Sequence, residues 1–213
     1  YSAQTRAHDL HERIQVLTQI ANIAEVRTGY TFRTPREGAA GAPVHAVQIG
    51  DLRDVTVVQP GNLPLAQWEG AGEMPALKEG EVLLAAKGNH NRAALFDGPQ
   101  AGHPVVPSSQ FLILTVKRAA QVLPAYLCWA LNYPPTQKLI AEHRRGTSIA
   151  SISKTALLQV PVPVPALGVQ QQILRLQHLW DEERALYAAL AQNRETMLTG
   201  MFSKLIHGES ENE

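Results

Sequence analysis

The sequence predicts an α+β protein, in which a mixed, mostly β domain is followed by a long C-terminal coiled-coil-type helix. Between residues 22 and 165, glycine and proline separate short apolar runs such as VHAVQI, EVLLAA and FLILTV, which is typical of strands and turns. Residues 123–143 instead carry the apolar spacing of two helices interrupted by a Pro-Pro pair. Beyond residue 166, apolar residues recur at alternating steps of four and three, which indicates one long helix.

The boundaries of these parts follow from local composition. Residues 1–21 precede the domain and contain one helical face over residues 8–21, which predicts a short N-terminal helix. The domain occupies residues 22–165 and closes on VPVPVPAL, whose prolines predict an edge strand or a stiff connector. The long helix then covers residues 166–207, and the polar residues 208–213 are expected to be a disordered tail.

The long helix carries a heptad seam interrupted by two charged residues, Glu183 and Arg194. At about 1.5 Å per residue such a helix spans nearly 60 Å, which is longer than the diameter of a domain of this size. We therefore expect the seam to contact a second polypeptide, although a helix folded back on its own domain is the alternative. The expected dimerisation residues are Val169, Ile173, Leu176, Trp180, Tyr187, Leu190, Met197 and Met201.

Composition limits the classes of function. The chain has 213 residues, and its 19 Lys and Arg balance its 19 Asp and Glu, so any nucleic-acid contact must be local or shared. The single cysteine, Cys128, lies in the apolar run YLCWAL, which excludes an internal disulfide and predicts a buried thiol. No apolar run approaches the roughly 18 residues that cross a bilayer, and no secretory signal opens the chain, so we expect a cytoplasmic protein without a membrane partner.

The common catalytic motifs are missing from the sequence, so we expect no enzymatic activity. It contains no G-x-S-x-G elbow, Walker loop, H-E-x-x-H or C-x-x-C motif. The string NYPP has the letters of an amino-methyltransferase motif in the wrong order, because Tyr133 separates Asn132 from the prolines, and it predicts a helix break instead. His8 and His11 lie beside Glu12 on a surface helix, and we assign no metal to them.

Several phrases occur in the order found in type I restriction-modification specificity subunits, and together they cover most of the chain. They are IAEVRTGYTFR, VQIGDLRD, LKEGEVLLAAKGNHNRAALF, VVPSSQFLILTV and LPAYLCWALN, followed by a block over residues 145–186. In that block a glycine-threonine turn, a serine-rich helix start, a Val-Pro strand and a Gln-Gln opening lead into the long helix, as they do in this family. The chain resembles half of such a subunit, because it has one recognition domain and one helix where the family has two of each. Gly168 also stands where the family often has a glutamate.

The resemblance implies a non-catalytic subunit that recognises double-stranded DNA at a bipartite target. It implies a modification methyltransferase subunit as partner, with S-adenosylmethionine bound to that partner and no cofactor on this chain, and a restriction or translocase subunit as a further, optional partner. Two halves, either identical or from different chains, would pair through their long helices. The alternative from another class is a protein-interaction module that oligomerises through its helix and does not bind DNA.

The loop KGNHNRA is the first candidate for DNA contact. Arg and Lys side chains suit phosphates and guanine, Asn and Gln suit adenine, and Gly88 permits a close backbone approach. An ordinary polar turn is the alternative, and the resemblance favours function. The loop supplies Lys87, Asn89, His90, Asn91 and Arg92.

Further candidates lie in three other segments. The segment GYTFRTPRE places two arginines beside two aromatic residues that we expect to be buried, and the turn SSQ precedes an apolar strand. Residues 144–154 combine basic residues with hydroxyls suited to phosphate. These segments supply Arg33, Arg36, Gln110, Arg144, Arg145, Ser148 and Lys154.

Overall fold

The chain divides into two units, Tyr1–Gln171 and Gln172–Glu213. The structure is a computed structural model that describes residues 16–32, 41–53, 55–70, 72–88, 91–98, 102–146 and 150–207. The expected polar tail and most of the expected N-terminal helix lie outside the described residues. The observed mixture of sheets and helices confirms the α+β class.

A four-stranded antiparallel sheet contains the most deeply buried strands. Across the sheet the order is β2 (Ala24–Thr28), β8 (Phe111–Val116), β5 (Glu81–Ala85) and β6 (Ala93–Phe96). Successive residues of the inner strands are buried, over residues 82–85 of β5 and 111–114 of β8. Burial on both faces explains why these strands are continuous apolar runs in the sequence rather than alternating ones.

A three-stranded sheet shares the same hydrophobic core. In it β3 (Ala42–Val47) lies between β4 (Leu65–Trp68) and β7 (Val105–Pro107), antiparallel to β4 and parallel to β7. Val47 and Val105 pack in one cluster with residues of β5, β6 and β8. Two short 3₁₀ helices follow β3, and their bounds are Ile49–Leu52 and Pro60–Asn62.

The N-terminal helix prediction is wrong where it can be compared with the structure. Residues Val16–Gln19 form a strand, β1, which pairs antiparallel with β9 (Pro161–Val164), and only Ile20–Ile23 make a single helical turn, α1. Leu17 is 62% exposed whereas Ile20 is fully buried, so the apolar spacing does not mark one common face. Pairing of β1 with the Val-Pro segment overrides the helical pattern of residues 16–19. The Val-Pro segment is therefore an edge strand, as expected.

Two helices follow β8, as the sequence predicted. They are α2 (Pro124–Asn132) and α3 (Pro134–Glu142), and Tyr133 between them has extended backbone angles. Prolines at the first positions of α3 start a helix easily but cannot continue α2. The NYPP string is therefore a helix break. A shorter helix, α4 (Lys154–Gln159), leads into β9.

A buried carboxylate fixes the end of the large sheet at which β5 begins. Glu81 is 3% exposed and forms an ion pair with Arg27 of β2, with 2.7 Å between Arg27 Nη2 and Glu81 Oε2. The Thr115 hydroxyl and the Lys78 backbone N–H also donate to this carboxylate, each at 2.9 Å. These donors satisfy the hydrogen-bonding capacity of the buried carboxylate. Glu81 thereby holds β2, β5, β8 and the loop before β5 together.

The thiol of Cys128 is buried on α2, as predicted, with 4% exposure. Burial raises the pKa of Cys128 to about 12 from its ordinary 9.0. Burial also raises the pKa of Tyr126 to about 12, and its hydroxyl donates to the carbonyl of Pro163 at 2.9 Å. Both groups therefore keep their protons in the folded state at a pH where the unfolded chain releases them.

Stability should fall with rising pH between about 9 and about 12. The contribution of each raised pKa is complete below the unfolded value and is lost as the pH approaches the folded value. Urea unfolding of the wild type and of Cys128→Ala across this range measures the effect. The slope should be shallower in Cys128→Ala, and identical slopes would contradict the assignment to this thiol.

The long helix, α5, runs from Leu167 to His207. Within the described residues no helix is sufficiently long and apolar to pass through a membrane. The start of α5 is held by Gln170, which is fully buried. Its side chain accepts from the Leu123 N–H at 2.9 Å and donates to the carbonyls of Gln121 and Pro165 at 2.8 Å.

Gln170→Leu should lower the free energy of unfolding by about 2–3 kcal/mol, because the Leu123 N–H and the carbonyls of Gln121 and Pro165 would then lose their bonds to this buried side chain. Gln171→Leu is the matched control, since Gln171 is exposed on the same turn, and its effect should stay within about 0.5 kcal/mol. Urea denaturation followed by circular dichroism gives both values. Equal losses of stability in the two variants would show that Gln170 does not anchor the helix.

Candidate nucleic-acid interface

Backbone hydrogen bonds bring three of the predicted DNA-contacting segments together where β5 ends. The Ala85 N–H donates to the Arg92 carbonyl at 2.9 Å, and the Ala86 N–H donates to the Gln110 carbonyl at 2.8 Å. The Ala86 carbonyl accepts from the Ile152 N–H at 2.9 Å. The loop after β5, the turn before β8 and the segment before α4 therefore meet at one end of the large sheet.

We call this end of the sheet the basic end. Its side chains are exposed except that of Arg144, which is half-buried, and its members are Lys87, Arg92, Gln110, Arg144, Arg145 and Lys154. Residues 85–93, 108–112 and 143–154 contain these five Lys and Arg and no Asp or Glu. A chain of zero net charge thus concentrates positive charge locally.

Backbone pairing beyond the end of β5 also connects the loop after β5 with residues 145 and 151. Lys87 pairs with Ser151, and Ser151 pairs with Arg145 through two N–H to carbonyl bonds of 2.9 Å. Gly88 has a φ of +100°, which is the left-handed region that favours glycine. Its carbonyl accepts a hydrogen bond from the Arg144 guanidinium. Arg144 therefore ties the loop after β5 to the segment after α3.

The position of the Asn91 side chain differs from the expected contact with DNA. It is 2% exposed, and its side-chain amide donates to the Ala85 carbonyl at 2.7 Å. A buried amide engaged with its own hairpin cannot reach a base edge in this structure, so the expectation that Asn91 contacts DNA is wrong. Its role is to close the loop between β5 and β6.

Two residues that position this loop were not among the predicted site residues. The Asn132 amide pairs with the backbone of Ala93 on the edge strand β6, accepting at 2.9 Å and donating at 2.8 Å. The Gln137 amide donates to the carbonyls of Asn91 and Leu131, at 2.7 and 2.6 Å. The only signal in the sequence is their position on either side of the Pro-Pro pair, and that pattern by itself predicts no more than a helix break.

The start of the GYTFRTPRE segment lies against the turn that carries Gln110. The Tyr30 N–H donates to the Pro107 carbonyl at 2.8 Å, and the Tyr30 carbonyl accepts from the Ser109 N–H at 2.7 Å. A Cβ at Gly29 would stand 2.0 Å from the Ser108 carbonyl oxygen, so only glycine permits this approach. The aromatic rings of Tyr30 and Phe32 pack edge to face at 5.0 Å and are half-buried.

The remaining expected contacts divide into two groups. The hydroxyl of Ser153 accepts from the Ala156 N–H at 3.1 Å and caps α4, so its oxygen has a structural role. Other candidates lie outside the described residues, namely Arg33, Arg36, Asn89, His90 and Ser148. Among the described residues, no three His, Cys, Asp or Glu side chains gather in a way that could hold a metal ion.

A sequence model of the type I restriction modification DNA specificity domain matches residues 18–192. Comparison with curated proteins gives no significant match. The chain is also similar to several solved structures, and each likeness shows the fold.

One similar structure is the S subunit of a type I restriction-modification system from M. genitalium, with 13% identity and a TM-score of 0.54 over 91% of this chain and 46% of that one. A second is a chain from a structure described as showing complex assembly and conformational transition of the type I R-M system, with 16% identity and a TM-score of 0.61 over 90% and 45%. A third is the HsdS subunit from Thermoanaerobacter tengcongensis, with 15% identity and a TM-score of 0.58 over 90% and 44%.

This chain therefore spans a little less than half the length of the structures it matches. The family model, by contrast, extends over most of the chain, from β1 to Gln192 in α5. The chain belongs to the type I restriction modification DNA specificity domain family.

Proposed function

We propose that the chain is the DNA sequence-recognition subunit of a type I-like restriction-modification system and carries no catalysis of its own. The observation that supports this most strongly is the basic end of the sheet, where backbone hydrogen bonds join three segments whose sequences contain five Lys and Arg residues and no Asp or Glu. Binding to a DNA backbone requires a surface of this kind, because positive side chains attract the phosphates of a duplex and acidic side chains repel them.

The side chains at the basic end would have different tasks. Lys87, Arg92, Arg145 and Lys154 are exposed cations suited to phosphate contact or, for the arginines, to guanine. Gln110 has an exposed side-chain amide on the adjoining turn, and among the described residues it is the candidate for contact with adenine. Arg144 is a positioning residue, because its guanidinium holds the Gly88 carbonyl.

The chemistry would come from partners. A modification methyltransferase subunit would bind S-adenosylmethionine and methylate the target, and a restriction or translocase subunit would be a further partner. In this proposed role the chain itself binds neither a cofactor nor a metal ion.

Two recognition domains would be brought together by pairing of α5. Its exposed apolar residues need a cover, and a bipartite site needs two recognition domains, of which the residues matched by the family model form one. The second half is either another copy or a different half-subunit, and a two-fold pair of identical copies would favour a palindromic target.

Lys87→Ala with Arg92→Ala should reduce DNA affinity and abolish site-specific methylation by the assembled methyltransferase. For each phosphate that is no longer neutralised by a side chain, the slope of log affinity against log salt should become shallower by roughly 0.9. Fluorescence anisotropy with the target duplex at several salt concentrations gives the slope, and a methylation assay gives the activity.

Lys78→Ala with Arg118→Ala is the matched control. Both residues are exposed and lie at the opposite end of the sheet, Lys78 before β5 and Arg118 after β8. Binding and methylation should be retained in this control. Equal reductions in the two double variants, or wild-type binding without salt dependence, would refute the proposed interface and favour a protein-interaction module.

A further inference from the structure

Three aromatic side chains form a cluster that begins beside the turn before β8. The rings of Tyr30 and Phe32 pack edge to face with 5.0 Å between their centroids, and the Trp68 ring lies 6.5 Å from that of Tyr30. We call these three residues the aromatic cluster. All three side chains are half-buried, whereas the sequence predicted that Tyr30 and Phe32 would be buried.

Packing of the core does not account for the exposed parts of these rings. The aromatic residues that fill the core of the large sheet, Phe96 and Phe111, are at most 1% exposed. A group of partly exposed aromatic side chains is a surface that an apolar group of a ligand can cover.

The direction of the strands places the start of this cluster at the basic end. Strands β2 and β5 run in the same direction, because each pairs antiparallel with β8. Leu112 of β8 faces Thr28 on one side and Leu84 on the other, so the two strands end level with each other. Tyr30 follows Thr28 by two residues and therefore emerges beside the cations of the loop after β5.

The backbone joins Tyr30 to the turn that carries Gln110. Tyr30 exchanges hydrogen bonds with Pro107 and Ser109, and the carbonyl of Gln110 accepts from the Ala86 N–H at 2.8 Å. The Tyr30 ring and the exposed amide of Gln110 are therefore carried by one hydrogen-bonded piece of backbone.

The separation of these two side chains suits the major groove of DNA. Tyr30 pairs with Ser108 as in neighbouring parallel strands, whose Cα atoms are about 5 Å apart. Gln110 lies two residues beyond Ser108, which adds at most about 7 Å. The Cα atoms of Tyr30 and Gln110 are thus within about 12 Å of each other, and the major groove is about 12 Å wide.

Their chemistry matches the two members of an A·T base pair. A glutamine amide can donate to adenine N7 and accept from its N6 amino group, and an apolar side chain can pack against the C5 methyl group of thymine. The major-groove edge of a G·C pair has neither this methyl group nor the adenine pattern of donor and acceptor.

We infer that Gln110 and the aromatic cluster together recognise A·T base pairs, with the amide bonded to adenine and a ring packed against the methyl group of thymine. The inference rests on the proposed function and assigns base identity within it. The cations of the basic end hold the phosphates, and these two groups determine which bases are accepted.

Removal of single methyl groups from the DNA tests the aromatic contact. Methylome sequencing supplies the motif, and each of its thymines is replaced in turn by deoxyuridine, which lacks only the methyl group. Affinity of the wild-type protein, measured by fluorescence anisotropy, should fall about fourfold at one position, as expected for one buried methyl group. Equal affinity for all of these duplexes, or a motif whose specified pairs are all G·C, would overturn the inference.

A variant then assigns this discrimination to the cluster. Tyr30→Ala with Phe32→Ala should bind the thymine and deoxyuridine duplexes equally, with an unchanged salt slope because no cation is removed. Leu17→Ala is the control, since Leu17 is 62% exposed and lies in β1, which precedes β2 at the opposite end of the sheet. Discrimination that persists in the aromatic variant, or that is lost equally in the control, would reject the assignment.

The amide contact is tested by replacing adenine N7. With 7-deazaadenine at each adenine in turn, wild-type affinity should fall about fivefold at a position in the same base pair as the sensitive thymine or in a neighbouring pair. Gln110→Ala should bind the adenine and 7-deazaadenine duplexes equally. A sensitivity that is absent in the wild type, or retained in Gln110→Ala, would contradict the role of this amide.

Failure of this inference can be told apart from failure of the proposed function. Binding without salt dependence would refute the proposed function itself. Salt-dependent binding and methylation that are indifferent to the methyl group of thymine would reject only the recognition of A·T pairs by the cluster.

Discussion

The candidate interface depends on the backbone of one small buried residue, Ala86. Its N–H and its carbonyl bond to Gln110 and Ile152, which belong to two different segments, while its chain neighbour Ala85 bonds to Arg92. Because all three segments bond to the backbone at the end of the inner strand β5, the cations they carry are brought to one end of the core. Rigid strands that hold variable loops are a general way to position binding side chains.

This arrangement separates the two ends of the large sheet by charge. At the end where β5 begins, the buried carboxylate of Glu81 is neutralised by Arg27 and contributes to stability. At the other end, the segments that carry the cations contain no Asp or Glu. A net charge of zero for the whole chain is therefore compatible with a strongly positive local surface.

The first turn of α5 belongs to the first unit and is fixed there by one side chain. Gln170 is buried and hydrogen-bonded to the backbone of Gln121, Leu123 and Pro165. In the proposed pairing, the exposed apolar residues of α5 beyond Gln170 contact a second chain. Two recognition domains that are held together recognise a longer target than either domain alone, so joining them increases specificity.

Much of the fold could be predicted because burial dominates its sequence pattern. The continuous apolar runs of β5 and β8, the Pro-Pro break before α3 and the heptads of α5 each reflect a single physical constraint. Strand β1 could not be predicted, since its conformation depends on pairing with β9, more than 140 residues later in the chain. For the site, the sequence supplied the basic segments as separate candidates, and the backbone hydrogen bonds that join three of them were not predicted. The burial of Asn91 could not be foreseen because a loop amide can face either solvent or its own backbone.

The most direct test of the account is methylome sequencing of cells that produce this chain with its methyltransferase partner. We expect one methylated motif made of two short parts at a fixed separation, which disappears when the chain is deleted; the parts are inverted and identical if the second half is another copy. Methylation that persists without the chain would contradict its role in recognition. A motif consisting of one undivided part would contradict the pairing of two copies.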